Sequence, residues 1–220
     1  MTQRVGVFID GSNLYHALEE NCGRMDLDFS AFIAKLCGDR HLFRTYYYNI
    51  IQDPDRRGPA YQEQQKFLAT LYNTPYLEVC LGTSKYRGDV LVEKGVDIMV
   101  ATDILQFAWR DLYDTAILVS GDGDFAYALQ VVKNLGKHVE VVAFPSNLSY
   151  ELSQTTDVLR ILDRGFFDDL WASGRERSGS RDEEAEGGPR RRRRRRRPTP
   201  SKSSNATQHR TEEENPAASE

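Results

Sequence analysis

The sequence predicts an α/β fold: a central, mainly parallel sheet of about five to six strands with helices on both faces. Three observations predict it. Short apolar runs rich in β-branched and aromatic residues alternate with stretches of helical spacing through residues 1–171. Acidic or small residues close the strand-like runs, as Asp10 and Ser120-Gly121-Asp122 do. A body of about 170 residues suits one domain with its own core.

Residues 5–9 are apolar, too short for a helix, and end at Asp10. Gly11-Ser12-Asn13 follows as a tight turn, and Leu14 and Leu18 open a helix. Asp28 caps a second short helix that Gly38 stops. Residues 43–51 form a strand, broken at Asp53-Pro54-Asp55. Residues 61–72 have helical composition, and 77–81 form a third strand. The polar stretch 82–95, with three glycines, is a hairpin or a loop. Val96, Val100, Ile104 and Phe107 share roughly one face of a helix. Residues 115–119 are the fourth strand, 125–135 a helix stopped by Gly136, and 139–144 the fifth strand. A helix near 147–155, a short strand near 158–162 and a helical turn complete the body.

Charge divides the chain. It carries 29 Lys and Arg against 33 Asp and Glu, for a net charge of −4. Residues 1–171 hold 16 basic and 24 acidic side chains, whereas 172–220 hold 13 and 9. An acidic body thus carries a basic tail, an asymmetry that points to a polyanionic partner. The tail is rich in Gly, Ser, Pro, Arg and Glu and lacks apolar periodicity, which predicts disorder over 172–220. Within it, Arg190 and Arg197 bound an unbroken run of eight arginines. On electrostatic grounds such a run attracts RNA or DNA phosphates non-specifically and with steep salt dependence; a solubilising tail, a tail folded back on acidic residues, a nuclear-localisation signal and a membrane-surface patch are the alternatives.

Three widely spaced cysteines give no disulfide framework and no CxxC knuckle, which favours a reducing compartment. No apolar stretch approaches the roughly 18 residues of a membrane span. The first residues lack a signal-peptide apolar region. These features predict a cytoplasmic protein.

Four acids are the candidates for chemistry: Asp10, Asp97, Asp122 and Asp124. In doubly wound sheets the first and fourth strands are commonly neighbours at the switch point, where ligands bind beyond the carboxyl ends. Asp10, Asp122 and Asp124 would then share one crevice, and Asp97 starts a helix that can face it. Clustered carboxylates either take up protons or hold a hard cation, and Mg²⁺ or Mn²⁺ suits an all-oxygen set. No His/Cys set competes. Each acid alone reads better as a turn or cap residue; two of them on neighbouring strands shift the balance toward a site. Asp103 lies six residues past Asp97, about 120° around the helix, and is a second-tier candidate: a helper, or a hydrogen-bonded structural acid.

Ile9-Asp10-Gly11-Ser12-Asn13, Lys94-Gly95-Val96-Asp97 with Asp103 after it, and Ser120-Gly121-Asp122-Gly123-Asp124-Phe125 occur in this order. The ordered set resembles the NYN domain family, of the LabA/DUF88-like branch of the PIN-like nuclease fold, over about residues 4–163. The resemblance implies a Rossmann-like PIN-type sandwich and metal-dependent RNA cleavage. It implies that Asp10, Asp97, Asp122 and Asp124 are the catalytic acids and metal ligands. It makes Asn13 a polar companion of the metal, Ser12 and Ser120 phosphate or water contacts, and Lys94 a phosphate contact. A non-catalytic RNA-binding or regulatory NYN module is the alternative.

Other readings of these residues are weaker. Gly121 to Ala126 fits a G-x-G-x-x-A dinucleotide turn, but two aspartates would repel the pyrophosphate and the turn follows a late strand. Asp122-Gly123-Asp124 matches an aspartyl-phosphate DxD, but Phe125 replaces the usual Thr or Val. An EF-hand lacks its downstream Glu. Strand alternation sets Tyr46 and Tyr48 on one face and Tyr47 on the other, as packing residues. Tyr86 and Arg87 are candidate substrate contacts. Trp109 and Trp171 are expected to pack against the body.

Overall fold

The computed structural model describes residues 3–52, 58–87 and 90–173, with the side chains of 84–94 excepted. The chain divides into a compact unit, Met1–Glu183, and a second unit, Glu184–Glu220, which lies outside the described residues. The predicted α/β sandwich is present. In chain order its strands are β1 (Arg4–Asp10), β2 (His41–Ile50), β3 (Leu77–Arg87), β4 (Val90–Lys94), β5 (Thr115–Val119), β6 (His138–Ala143) and β7 (Val158–Ile161). Its helices are α1 (Gly11–Cys22), α2 (Phe29–Cys37), α3 (Gly58–Tyr72), α4 (Val96–Trp109), α5 (Ala126–Asn134) and α6 (Tyr150–Thr155).

The sheet order is β4-β3-β2-β1-β5-β6-β7. Six strands are parallel, and the seventh, β4, pairs antiparallel with β3 as the second arm of a hairpin. The polar stretch after residue 81 is therefore sheet: β3 runs on to Arg87 and turns back. From β1 the chain builds outward through β2 and β3, then crosses to the other side of β1 with β5. That reversal opens the crevice that binds ligands in such sheets.

Side-chain alternation divides the core into two layers. Val5, Val7, Ile9, Tyr47 and Ile117 pack under α1, α2 and α3. Phe8, Tyr46, Tyr48, Leu118 and Val141 pack under α4, α5 and α6. Asp28 caps α2 by accepting from Ala31 N–H, and Gly23 closes α1 at φ 64°. The helix expected at 125–135 begins differently: Gly123–Phe125 is a 3-10 turn and α5 starts at Ala126. The helix near 147–155 is shorter, because Ser149 caps α6 and the preceding residues turn.

Trp171 is buried and bridges to Leu27. Trp109 does not pack: it is 78% exposed. Val96, Val100, Ile104 and Ala108 form the buried stripe of α4, and Trp109 stands about 100° past Ala108 on the helix.

Glu140 on β6 is buried, at 4% exposure. Arg40 grips it at 2.5 Å through Nη1, and Arg160 at 2.6 Å through Nη2. The same guanidinium groups donate to the carbonyls of Leu36 and Cys37 at the end of α2. No helix among the described residues is long and apolar enough to cross a membrane.

Candidate functional site

Asp10 is the last residue of β1 and is 5% exposed. As the N-cap of α1, its Oδ1 accepts from Asn13 N–H at 3.1 Å. Its Oδ2 accepts from the Ser120 hydroxyl at 3.1 Å. Ser120 follows β5, the strand beside β1, and is itself buried. The Ser120 oxygen in turn accepts from Asp122 N–H at 3.1 Å. Asp122 caps the 3-10 turn, with Oδ1 accepting from Asp124 N–H at 3.0 Å. One hydrogen-bonded chain thus joins the ends of β1 and β5, as the crevice argument requires.

Asp97 enters from the opposite layer, in the first turn of α4. Its helix is capped by Gly95 at φ 89°, with no capping side chain. Asp97 and Asp124 are exposed and Asp122 is half-buried.

The electrostatics link these acids. Burial pushes the Asp10 carboxyl above its ordinary pKa; the bonds from Asn13 and Ser120 oppose this, and the charges of Asp97 and Asp122 add to it. Asp97 is also raised, first by desolvation against the cleft wall and then by Asp122 and Asp124. No Lys or Arg among the described residues forms an ion pair with any of the four.

This uncompensated negative charge on oxygen donors fits a hard divalent cation such as Mg²⁺ or Mn²⁺. The acids are not closed into a ready cage: among the described residues no three His, Cys, Asp or Glu side chains stand in metal-holding array.

The remaining sequence candidates fall in varied places. Asn13 Oδ1 accepts from Gly121 N–H at 3.0 Å and from Asn147 Nδ2 at 2.7 Å, tying three loops together. Ser12 donates to Asn49 Oδ1 at 3.2 Å, at the end of β2. Asp103 accepts from the Tyr48 hydroxyl at 3.0 Å, a bond between α4 and the sheet. The side chains of Lys94, Tyr86 and Arg87, and the whole of residues 190–197, lie outside the described residues.

Asn147, Ser149 and Glu151 adjoin the site and carried no sequence signal beyond a helix start. A Cβ on Gly121 would come within 2.0 Å of the Asn147 carbonyl oxygen, so only glycine fits there. Ser149 N–H donates to Gly121 O at 2.9 Å. A Cβ on Gly123 would lie 3.3 Å from Glu151 Oε2, which brings a further carboxylate to the Asp122–Asp124 loop. A Cβ on Gly11 would strike the Tyr47 ring at 2.4 Å, so close packing also dictates that motif glycine.

The family model of the NYN domain matches residues 4–163. The Low amplitude and bright protein LabA of Synechococcus elongatus is 28% identical over 160 residues, covering 70% of this chain and 81% of that protein. The crystal structure of VPA0982, a protein of unknown function from Vibrio parahaemolyticus RIMD 2210633, superposes with a TM-score of 0.62. It is 24% identical and covers 77% of this chain and 96% of its own, a likeness of fold.

Proposed function

Because this chain belongs to the NYN domain family, whose fold is that of PIN-like nucleases, we propose that it is a metal-dependent ribonuclease that hydrolyses RNA phosphodiester bonds. One observation carries the reading: a buried carboxylate, Asp10, without a cationic partner among the described residues, its pKa raised first by burial and then by the charges of Asp97 and Asp122. A buried acid kept in that state is a functional-site signature, since structural acids are ordinarily paired.

Asp10, Asp97, Asp122 and Asp124 would hold Mg²⁺ or Mn²⁺. Bound there, the ion supplies an acidified water and positive charge for a phosphoryl oxygen. The chain's own residues supply position. Ser120 and the Asn13 N–H fix the Asp10 carboxylate from two sides. Asn13 holds the Gly121 and Asn147 loops in place, so its part is to shape the crevice. Asp124 is exposed, and in this reading it would meet an incoming ligand first. Lys94 remains assigned to a substrate phosphate.

We take residues 1–171 as the nuclease domain and 172–220 as a tether. Arg190 to Arg197 then raise the concentration of RNA near a cleft that would repel it. Three free cysteines, two of them buried, support a reducing, cytoplasmic setting.

The alternative, a non-catalytic RNA-binding or regulatory module, is favoured by a specific observation. Both Asp10 oxygens are already engaged in hydrogen bonds.

One assay separates the two. The protein and its Asp122→Asn variant are incubated with single-stranded and structured RNA in Mn²⁺, Mg²⁺ or chelator. Cleavage that needs the ion and is lost in the variant, with RNA affinity kept, supports the nuclease. Metal-independent cleavage, or cleavage undiminished in the variant, removes it; binding without any cleavage favours the module.

A further inference from the structure

We propose that the cavity between α1 and α3, beside Asp10, binds a nucleobase of the RNA strand whose phosphate lies at the carboxylates. The proposal rests on the ribonuclease reading for its substrate and deepens it by assigning a base-recognition subsite.

The cavity has a volume of about 510 Å³. Small-ligand pockets span about 300–1,000 Å³, and a base with its ribose fits comfortably. Gly11 and Ser12, which directly follow Asp10, form one wall. The cavity therefore begins at the turn that directly follows Asp10, although none of the four acids lines it.

Aromatic rings line the interior. Phe29, Tyr47 and Phe67 contact one another edge-to-face, with centroids 5.6, 5.6 and 5.7 Å apart. Such mutual packing holds the rings in fixed orientations before any ligand arrives. Tyr15 adds a partly exposed ring on the α1 side.

The polar residues divide into two sets. Asn49 and Gln64 are committed to the wall. Asn49 accepts from Ser12 and donates to the Tyr47 hydroxyl at 2.9 Å. Gln64 donates to Ile50 O at 2.7 Å and accepts from Gln52 N–H at 2.8 Å, fixing the end of β2. Glu63 and the Tyr15 hydroxyl, by contrast, have no hydrogen-bond partner among the described residues and also line the cavity.

A nucleobase matches both sets. Its faces can stack on the accessible rings of Tyr15 and Phe67, which the buried Phe29 and Tyr47 back, and its edge offers donors to a carboxylate. Glu63 is exposed on α3, so its carboxylate can accept from a ligand without giving up an internal bond. An exocyclic amino group is the natural donor to Glu63, so adenine, guanine and cytosine should be preferred to uracil.

The test uses the full chain. AMP, GMP, CMP, UMP and ribose 5-phosphate are titrated calorimetrically. Ribose 5-phosphate keeps the sugar and phosphate but lacks the base. The expected result is that the amino-bearing nucleotides bind about tenfold or more tightly than ribose 5-phosphate, the scale of one stacked base. UMP should fall between them.

Ala60→Trp, at an exposed α3 position lining the cavity, should abolish the base-dependent gain. Glu63→Ala should keep the gain and erase the discrimination against UMP. Circular dichroism and thermal melting establish that both variants are folded; should Ala60→Trp not fold, Glu63→Ala decides.

Equal affinity for ribose 5-phosphate, a gain that survives in folded Ala60→Trp, or discrimination that survives Glu63→Ala overturns the proposal. Metal-dependent cleavage without base-dependent binding overturns the subsite alone. Base-dependent, Ala60-sensitive binding without cleavage overturns the nuclease reading and leaves the subsite standing.

Discussion

Two carboxylates are buried among the described residues, and the sheet treats them in opposite ways. Glu140 on β6 is clasped by Arg40 and Arg160, whose remaining N–H groups finish the carbonyls of α2. Asp10, at the end of β1, has a hydroxyl and one backbone N–H, and feels the charges of Asp97 and Asp122. Charge is balanced at Glu140 and left without a counter-charge among the described residues at Asp10. Burial alone does not mark a functional acid; burial without a counter-charge does.

The largest expected effect tests the balanced end. Glu140→Gln leaves two guanidinium groups without their carboxylate and should cost about 3–5 kcal/mol of stability, the usual penalty for breaking a buried pair. Chemical denaturation measures it, and a loss under 1 kcal/mol, on the scale of a surface pair, would break the comparison. RNA cleavage by the folded fraction should be unchanged.

Asp10→Asn tests the unbalanced end. Cleavage should fall about 10²–10³-fold, the scale of losing one charge-stabilising group. Stability without divalent ions should hold or rise, because an uncompensated charge leaves the interior. A variant that unfolds would make Asp10 a structural residue first.

Divalent ions sharpen the contrast. Mg²⁺ or Mn²⁺ at about 100 times its dissociation constant should stabilise the protein by about 2.7 kcal/mol. The gain should vanish in Asp122→Asn and persist in Glu140→Gln. Melting curves with and without chelator decide, and an equal gain in Asp122→Asn would refute the assignment.

The smallest effect is in pH. Asp10 has a folded pKa above the unfolded 3.8, so the native state takes its proton first. Its contribution to metal-free stability therefore improves as pH falls through the folded value towards 3.8. Asp114, bonded to Arg4, is lowered to about 2, so its contribution is present above 3.8 and is lost as pH falls towards 2. The melting temperature of Asp10→Asn minus that of wild type, without divalents, should shrink from pH 7 towards pH 4. A widening difference would contradict the raised value.

The sequence made much of the frame legible. Asp28 and Gly38 bracket α2 as read, and β1 and β5 are neighbours as the doubly wound order implies. Asp10 and Asp122 both take the capping role that residues after a strand can have. In each, one carboxylate oxygen caps the helix or turn that follows.

Trp109 was misjudged, since apolar character favours packing but its angle on α4 directs it outward. The hairpin arm β4 was ambiguous, because a polar glycine-containing stretch lacks the apolar alternation that announces a strand.

By itself the sequence determined the alternation of elements, their caps, and the acids at the strand ends. These depend on neighbours a few residues away, through hydrogen-bonding reach and the periods of helix and strand. The tertiary structure alone decided the rest. It joined Asn13 to Asn147, Ser12 to Asn49, Tyr48 to Asp103 and Arg40 to Glu140, and it enclosed the cavity between α1 and α3. Such partners are far apart along the chain, and no local period or cap brings them together; only the packing of layers onto one sheet does.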